Sequence, residues 1–310
     1  MRGMQRNAGI LIGLVVVVAA IIIGFLLFAS SGTPPASSPS PEASTSAEPS
    51  TSLNAELLDR RWTVLYVGTD RNAERETRGE DPNTDALMLA SLSADQSQLT
   101  LVSLPRDTID VPLADGETWT QKINSLYNER GIDELVGAME TLYGVPIDAH
   151  VVLDMDDFAR LVDAVGGILV SPPEPIVDPI VNLDLPAGDH ELDAQQTLGY
   201  VRTRVDQDYG RMGRQQEVSV ALVRKLIDPE TDLNVREVID SLESLETDLP
   251  LDDLPTLLEL ARRAADAEVN NLLIRPPLIT FEGDRGDGRG YVLEPDIEAI
   301  RAEVQGLIGD

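Results

Sequence analysis

The segment YVRTRVDQDYGRMGRQQ, Tyr200 to Gln216, sets Arg202 and Arg204 two residues apart and Arg211 and Arg214 three apart, opposed only by Asp206 and Asp208. The whole chain of 310 residues holds 24 Lys and Arg against 54 Asp and Glu, a formal charge of -30. Gathering four guanidinium groups in an acidic protein costs repulsion that a bound anion would relieve. The planar guanidinium fork suits phosphate. The competing explanation is structural salt bridging to Asp206 and Asp208. Tyr209-Gly210 reads as a turn between two helices, which would let both arginine pairs converge on one point.

Other charged side chains stand where strands should end, which is where open α/β sheets bind ligands. WTVLYVGTD ends at Asp70, and Asp85 opens DALMLASL after the loop from Asp70 to Thr84. Two carboxylates beside a phosphate site are a usual way to hold Mg²⁺ or Mn²⁺. LTLVSLPRD runs into Arg106 through Pro105, which ends the ladder and aims the next side chain into the loop. Asp154, Asp156 and Asp157 follow HVVL and are accounted for by a helix start.

Composition removes several chemistries. Cysteine is absent and there are two histidines, His150 and His190. Disulfides, thiol catalysis and thiolate metal sites are therefore excluded, and a multi-histidine metal site has too few ligands. No glycine-rich run precedes a Lys-Ser/Thr pair, which disfavours an ordinary nucleotide hydrolase. The acidity argues against a nucleic-acid partner.

The elements that must position these groups alternate. WTVLYVGT, DALMLASL and QLTLVS predict strands, the last two joined by a turn at 94–97. SLYNERGIDELVGAMETLYG predicts a helix pair, AHVVL a strand and DDFARLVDAVGG an amphipathic helix closed by glycine. ILV resumes a strand, and DAQQTLGYVRTR and RQQEVSVALVRKLI predict two helices. The remainder, 227–310, reads as a helical completion, with a helical pattern over 235–267 broken near 249–255, then a short strand and a last helix. The pattern is α/β with a central mixed sheet flanked by helices. The apolar stretches Leu135–Leu142 and Leu257–Leu260 read as core, with the lining of a lipid groove as the alternative.

Before this domain, residues 9–29 form an uninterrupted apolar run, long enough to span ~30 Å of hydrocarbon as a helix. Arg2 and Arg6 precede it without an acid, which orients residues 1–8 to the cytoplasm. A cleaved signal peptide is the rival reading. Residues 30–53, rich in Ser, Pro and Thr, read as a disordered tether to an extracellular domain over 54–310.

Taken in order, VLYVGTD, TDALMLASL, LTLVSLPRD, QKINSLY, LVDAVGGILV, LPAGDHELDAQQTLGYVRTR and DYGRMGRQQ resemble the LytR–CpsA–Psr family over 62–226. The resemblance implies a membrane-anchored, Mg²⁺-dependent transferase. Such an enzyme moves a glycopolymer, as in teichoic acid or capsule attachment, from a polyprenyl-pyrophosphate carrier to a wall acceptor, usually peptidoglycan. It implies that Arg106, Lys122, Arg202, Arg204, Arg211 and Gln215 grip the pyrophosphate. Asp70 and Asp85 would hold the metal or activate the acceptor. Asp208 would orient an arginine or serve the metal, with Arg214 in a supporting role. Asn83 stands where the family often has arginine, so one cationic contact to the phosphates is either missing or supplied by Arg71, Arg75 or Arg78 from the loop. A hydrolase using water as acceptor, and a regulator that binds the carrier without turnover, are the alternatives for the same site.

Overall fold

The computed structural model describes residues 53–309 apart from 80, 229, 235, 237, 239–244, 251 and 252. The expected membrane span and nearly all of the tether lie outside the described residues. Six strands form the main sheet. In chain order they are β1 (Trp62–Thr69), β2 (Thr84–Leu92), β3 (Gln98–Ser103), β6 (Ala149–Leu153), β11 (Glu246–Thr247) and β12 (Glu268–Leu273). Between them lie short pairs: β4 (Val111–Pro112) with β5 (Thr118–Trp119), β7 (Ile168–Val170) with β10 (His190–Leu192), and β8 (Ile176–Asp178) with β9 (Leu183–Leu185). The sheet order is β11-β6-β1-β2-β3-β12. β1 pairs parallel with β6 and β3 with β12, while the β1–β2, β2–β3 and β6–β11 pairs are antiparallel.

Both faces of this sheet are covered, which is why its strands read as nearly continuous apolar runs. Alternate residues feed two cores. Tyr66, Met88 and Leu101 meet Phe158 and Leu161 of helix α1 (Met155–Ala164), Val218 and Leu222 of α2 (Gln207–Ile227), and Leu257 and Leu260 of α3 (Leu254–Asp266). Leu65, Val67 and Leu89 meet the opposite layer, Leu135, Met139 and Leu142 of the helix Ile132–Tyr143 and Ile300 and Val304 of the last helix, Ile297–Ile308. Leu135, Leu142, Leu257 and Leu260 are thus core residues. Truncating one of them to Ala should cost about 2–5 kcal/mol.

Two expectations are corrected. Tyr209-Gly210 is not a turn: α2 begins at Gln207 and runs through both residues. A Cβ at position 210 would collide with the Asp206 carboxylate. Gly210 is there to admit that side chain, not to break the helix. Nor is the C-terminal part a mainly helical completion: the expected last strand and helix are present, at Tyr291–Pro295 and Ile297–Ile308, but further strands join them. β11 and β12 extend the main sheet at both edges, and β13 (Ile279–Asp284) and β14 (Tyr291–Pro295) form a hairpin.

Candidate active site

Two local devices bring the charged groups together. The first is a bulge. Gly68 pairs with Ala86 but Thr69 pairs with Thr84, so Asp85 is the extra residue in β2. A bulge re-aims the side chain it carries. Asp85 lines the same cavity as Ala86 instead of pointing to the opposite core. There it accepts a hydrogen bond from Arg106 Nη1. Arg106 occupies the turn after β3, closed by Thr108 N–H and Oγ1 donating to the Pro105 carbonyl.

The second device is the junction between the helix Ala194–Arg202 and α2. Thr203 between them is extended and fully buried. Its hydroxyl donates to Asp178 Oδ2 at 2.6 Å. Arg202 and Arg204 flank this anchored residue and both line the cavity. Arg214, on the next part of α2, locks the junction. Nε donates to the Tyr200 carbonyl (2.8 Å), Nη2 to the Thr203 carbonyl (2.6 Å) and Nη1 to Asp206 Oδ2 (2.6 Å). α2 is tied to the sheet by Gln216, whose Nε2 donates to Ser103 Oγ at 2.8 Å between two buried residues.

The result is a cavity of about 340 Å³ with two chemically different sides. Asp85, Arg106, Arg202, Arg204, Arg211 and Gln215 supply polar groups, while Leu153, Phe158, Val181, Leu198 and Val201 supply apolar wall. Gly68 and Tyr66 also line it. A Cβ on Gly68 would come within 2.9 Å of Tyr66 Oη. Ile180 contributes to the lining and is 92% exposed.

Arg211 is the central cation. Its side chain is 2% exposed, and its Nε and Nη2 make no hydrogen bond among the described residues. Asp208 lies 3.4 Å from Arg211 Nη2 and 3.4 Å from Arg204 Nε, a carboxylate shared by two guanidiniums. Burial pulls the Arg211 guanidinium below its ordinary value; Asp208 opposes the shift and Arg204 adds to it. For Arg106 burial acts in the same direction, but Asp85, Asp107 and Asp208 outweigh it and hold the group above its ordinary value. Arg106 Nε is also buried without a hydrogen-bond partner. Buried donors left open in this way are costly unless a ligand meets them.

The remaining expected site residues stand elsewhere. Asp70 is buried at the mouth of the loop, accepting the Asn83 N–H at 2.7 Å and pairing with Arg75 at 2.8 Å. Both its oxygens are engaged, and neither Asp70 nor Arg75 lines the cavity. Lys122 pairs with Asp107 at 3.0 Å, outside the cavity. Arg214 does not line it either. Asp154 caps α1 by accepting the Asp157 N–H and also borders the cavity. Neither histidine borders it: His150 faces Asp248 and His190 the Pro186 carbonyl. Sequence reasoning passed over Thr203, Gln216 and Gly68. The one sequence signal for Thr203 is its place between two arginines.

The comparisons agree with this architecture. The LytR_cpsA_psr family matches residues 31–301. The polyisoprenyl-teichoic acid–peptidoglycan teichoic acid transferase TagV of Bacillus subtilis is 26% identical over 269 residues, covering 82% of this chain and 67% of TagV. TagU of Enterococcus faecalis, named for the same transfer, is 31% identical over 198 residues, covering 62% of this chain and 63% of TagU. The chain thus spans about two thirds of the length of these relatives. The crystal structure of B. subtilis TagV superposes with a TM-score of 0.64 at 25% identity, over 81% of this chain and 98% of that one. From fold, motif order and family match together, the chain belongs to the LytR_cpsA_psr family.

Proposed function

We propose that the protein moves a glycopolymer from a polyprenyl-pyrophosphate carrier to a wall acceptor, in the first place peptidoglycan, and releases polyprenyl phosphate. The observation that carries this reading is the buried Arg211 with open donors, at the charged side of a cavity whose other side is apolar. Such a cavity suits a ligand that is anionic at one end and lipid at the other. The transfer for which TagV and TagU are named supports the same reaction class.

An acceptor hydroxyl attacks the phosphorus that bears the glycopolymer. A new phosphodiester bond forms, the bond to the carrier phosphate breaks, and the hydroxyl proton passes to Asp85, which lines the cavity; Asp70 would take it only after leaving Arg75. Arg106, Arg204 and Arg211 stabilise charge on the phosphoryl oxygens and the leaving phosphate; Arg202 and Gln215 orient the diphosphate. Lys122 would take part only after leaving Asp107.

Mg²⁺ or Mn²⁺ fits Asp85 better than Asp70. Asp85 has one oxygen on Arg106 and the other without a hydrogen bond among the described residues, whereas both Asp70 oxygens are engaged. Among the described residues no three His, Asp or Glu side chains gather as ligands, so the ion would draw coordination from the phosphates. When bound it would neutralise phosphate charge. Residues 9–29 would anchor the domain outside the membrane, within reach of the carrier.

The test uses the full chain in lipid nanodiscs with Mg²⁺, a lipid-pyrophosphate-linked oligosaccharide and a peptidoglycan fragment. The expected result is a heavier acceptor and matching release of polyprenyl phosphate. Release without acceptor gain would establish a hydrolase, and binding without turnover a regulator.

A further inference from the structure

A second cavity, of about 440 Å³, adjoins the first across a wall that Arg204 lines on both sides and Asp208 on the second. Arg106 and Asp107 are consecutive in one turn, yet Arg106 lines the first cavity and Asp107 the second, while Arg204 lines both. The β13–β14 hairpin supplies the far side and is fixed to that turn. Ile109 N–H donates to the Leu293 carbonyl at 2.9 Å, and Leu293 N–H to the Asp107 carbonyl at 3.1 Å. This register brings Glu282 and Tyr291 opposite Asp107, Asp208 and Tyr209.

We propose that this second cavity binds the acceptor as a neutral, hydroxyl-rich glycan and presents its hydroxyl through the Arg204–Asp208 wall. Three carboxylates against one guanidinium repel a phosphate, and ionised carboxylates only accept hydrogen bonds, so they select a ligand rich in donors. Each carboxylate is already steadied. Asp107 is held by Lys122 at 3.0 Å, Asp208 by Arg204 and Arg211, and Glu282 by the Tyr291 hydroxyl at 2.9 Å. The Tyr209 and Tyr291 rings offer apolar faces for the C–H side of a sugar. Tyr291 is 50% exposed, an aromatic with no core to fill. The two cavities thus divide by charge: anionic donor on the arginine side, neutral acceptor on the carboxylate side. The proposal rests on the transfer reading above.

The test titrates the full chain in nanodiscs with chitotetraose, and separately with geranyl pyrophosphate. Chitotetraose should bind with geranyl pyrophosphate already present. Tyr291→Ala and, as a milder second variant, Glu282→Gln should each weaken chitotetraose by about tenfold and leave geranyl pyrophosphate unchanged. Transfer to the glycan should fall in Tyr291→Ala while geranyl pyrophosphate still binds. Chitotetraose affinity equal in wild type and both variants, mutual exclusion with geranyl pyrophosphate, or no binding to wild type would overturn the proposal. Failure of geranyl pyrophosphate alone to bind would instead overturn the donor reading and leave the glycan site standing.

Discussion

Arg211 and Arg214 sit one turn apart on the same helix, both buried, in environments that are opposites. Arg214 has Nε, Nη1 and Nη2 on the protein: two carbonyls and Asp206. Arg211 has two nitrogens without a hydrogen bond, and its nearest carboxylate is 3.4 Å away and shared with Arg204. A buried arginine with every donor engaged builds structure. One with open donors, facing a cavity, costs the fold stability unless a ligand meets it, which is the role proposed for Arg211. The sequence segment that gathers four arginines therefore contains two devices: a lock, and the groups the lock positions.

That contrast can be broken at either end. Arg214→Ala should show the largest stability loss, about 3–5 kcal/mol by urea unfolding, because two buried carbonyls lose a charged donor. Arg211→Met should leave stability equal or slightly raised, since it removes open donors, while slowing transfer by about 30- to 1000-fold, or ~2–4 kcal/mol of barrier. If both variants instead lost stability alike, the distinction between lock and ligand group would fail. Gln216→Ala should cost about 1–3 kcal/mol by leaving Ser103 without its buried partner, and should lower activity only as far as α2 moves. Arg202→Ala should be smallest for the fold, within about 0.5 kcal/mol, since its side chain is exposed; its effect should appear in carrier affinity.

Much of the frame was legible in the sequence. β1, β2 and β3 are apolar runs bounded by turn residues, and their burial on two faces is what such runs mean. Arg106, Arg202, Arg204 and Arg211 could be named from charge pattern and motif. Three features could not. The bulge at Asp85 exists only in the pairing of β1 with β2. Gly210 reads as a helix breaker until Asp206 is seen to fold over it. β12 carries two asparagines in EVNNLL, a composition poor for a strand, and is held by its parallel neighbour β3. Arg211 and Arg214 are the sharpest case: the same residue type in the same helix, separated only by partners that distant segments bring.

The most direct test of the central claim is calorimetric titration of the full chain with geranyl pyrophosphate, wild type beside Arg211→Met. The account predicts binding to wild type and about 100-fold weaker binding to the variant, the size of one lost charge-assisted contact. Equal affinity in the two proteins would mean that the open donors of Arg211 do not receive the diphosphate, and would contradict the account.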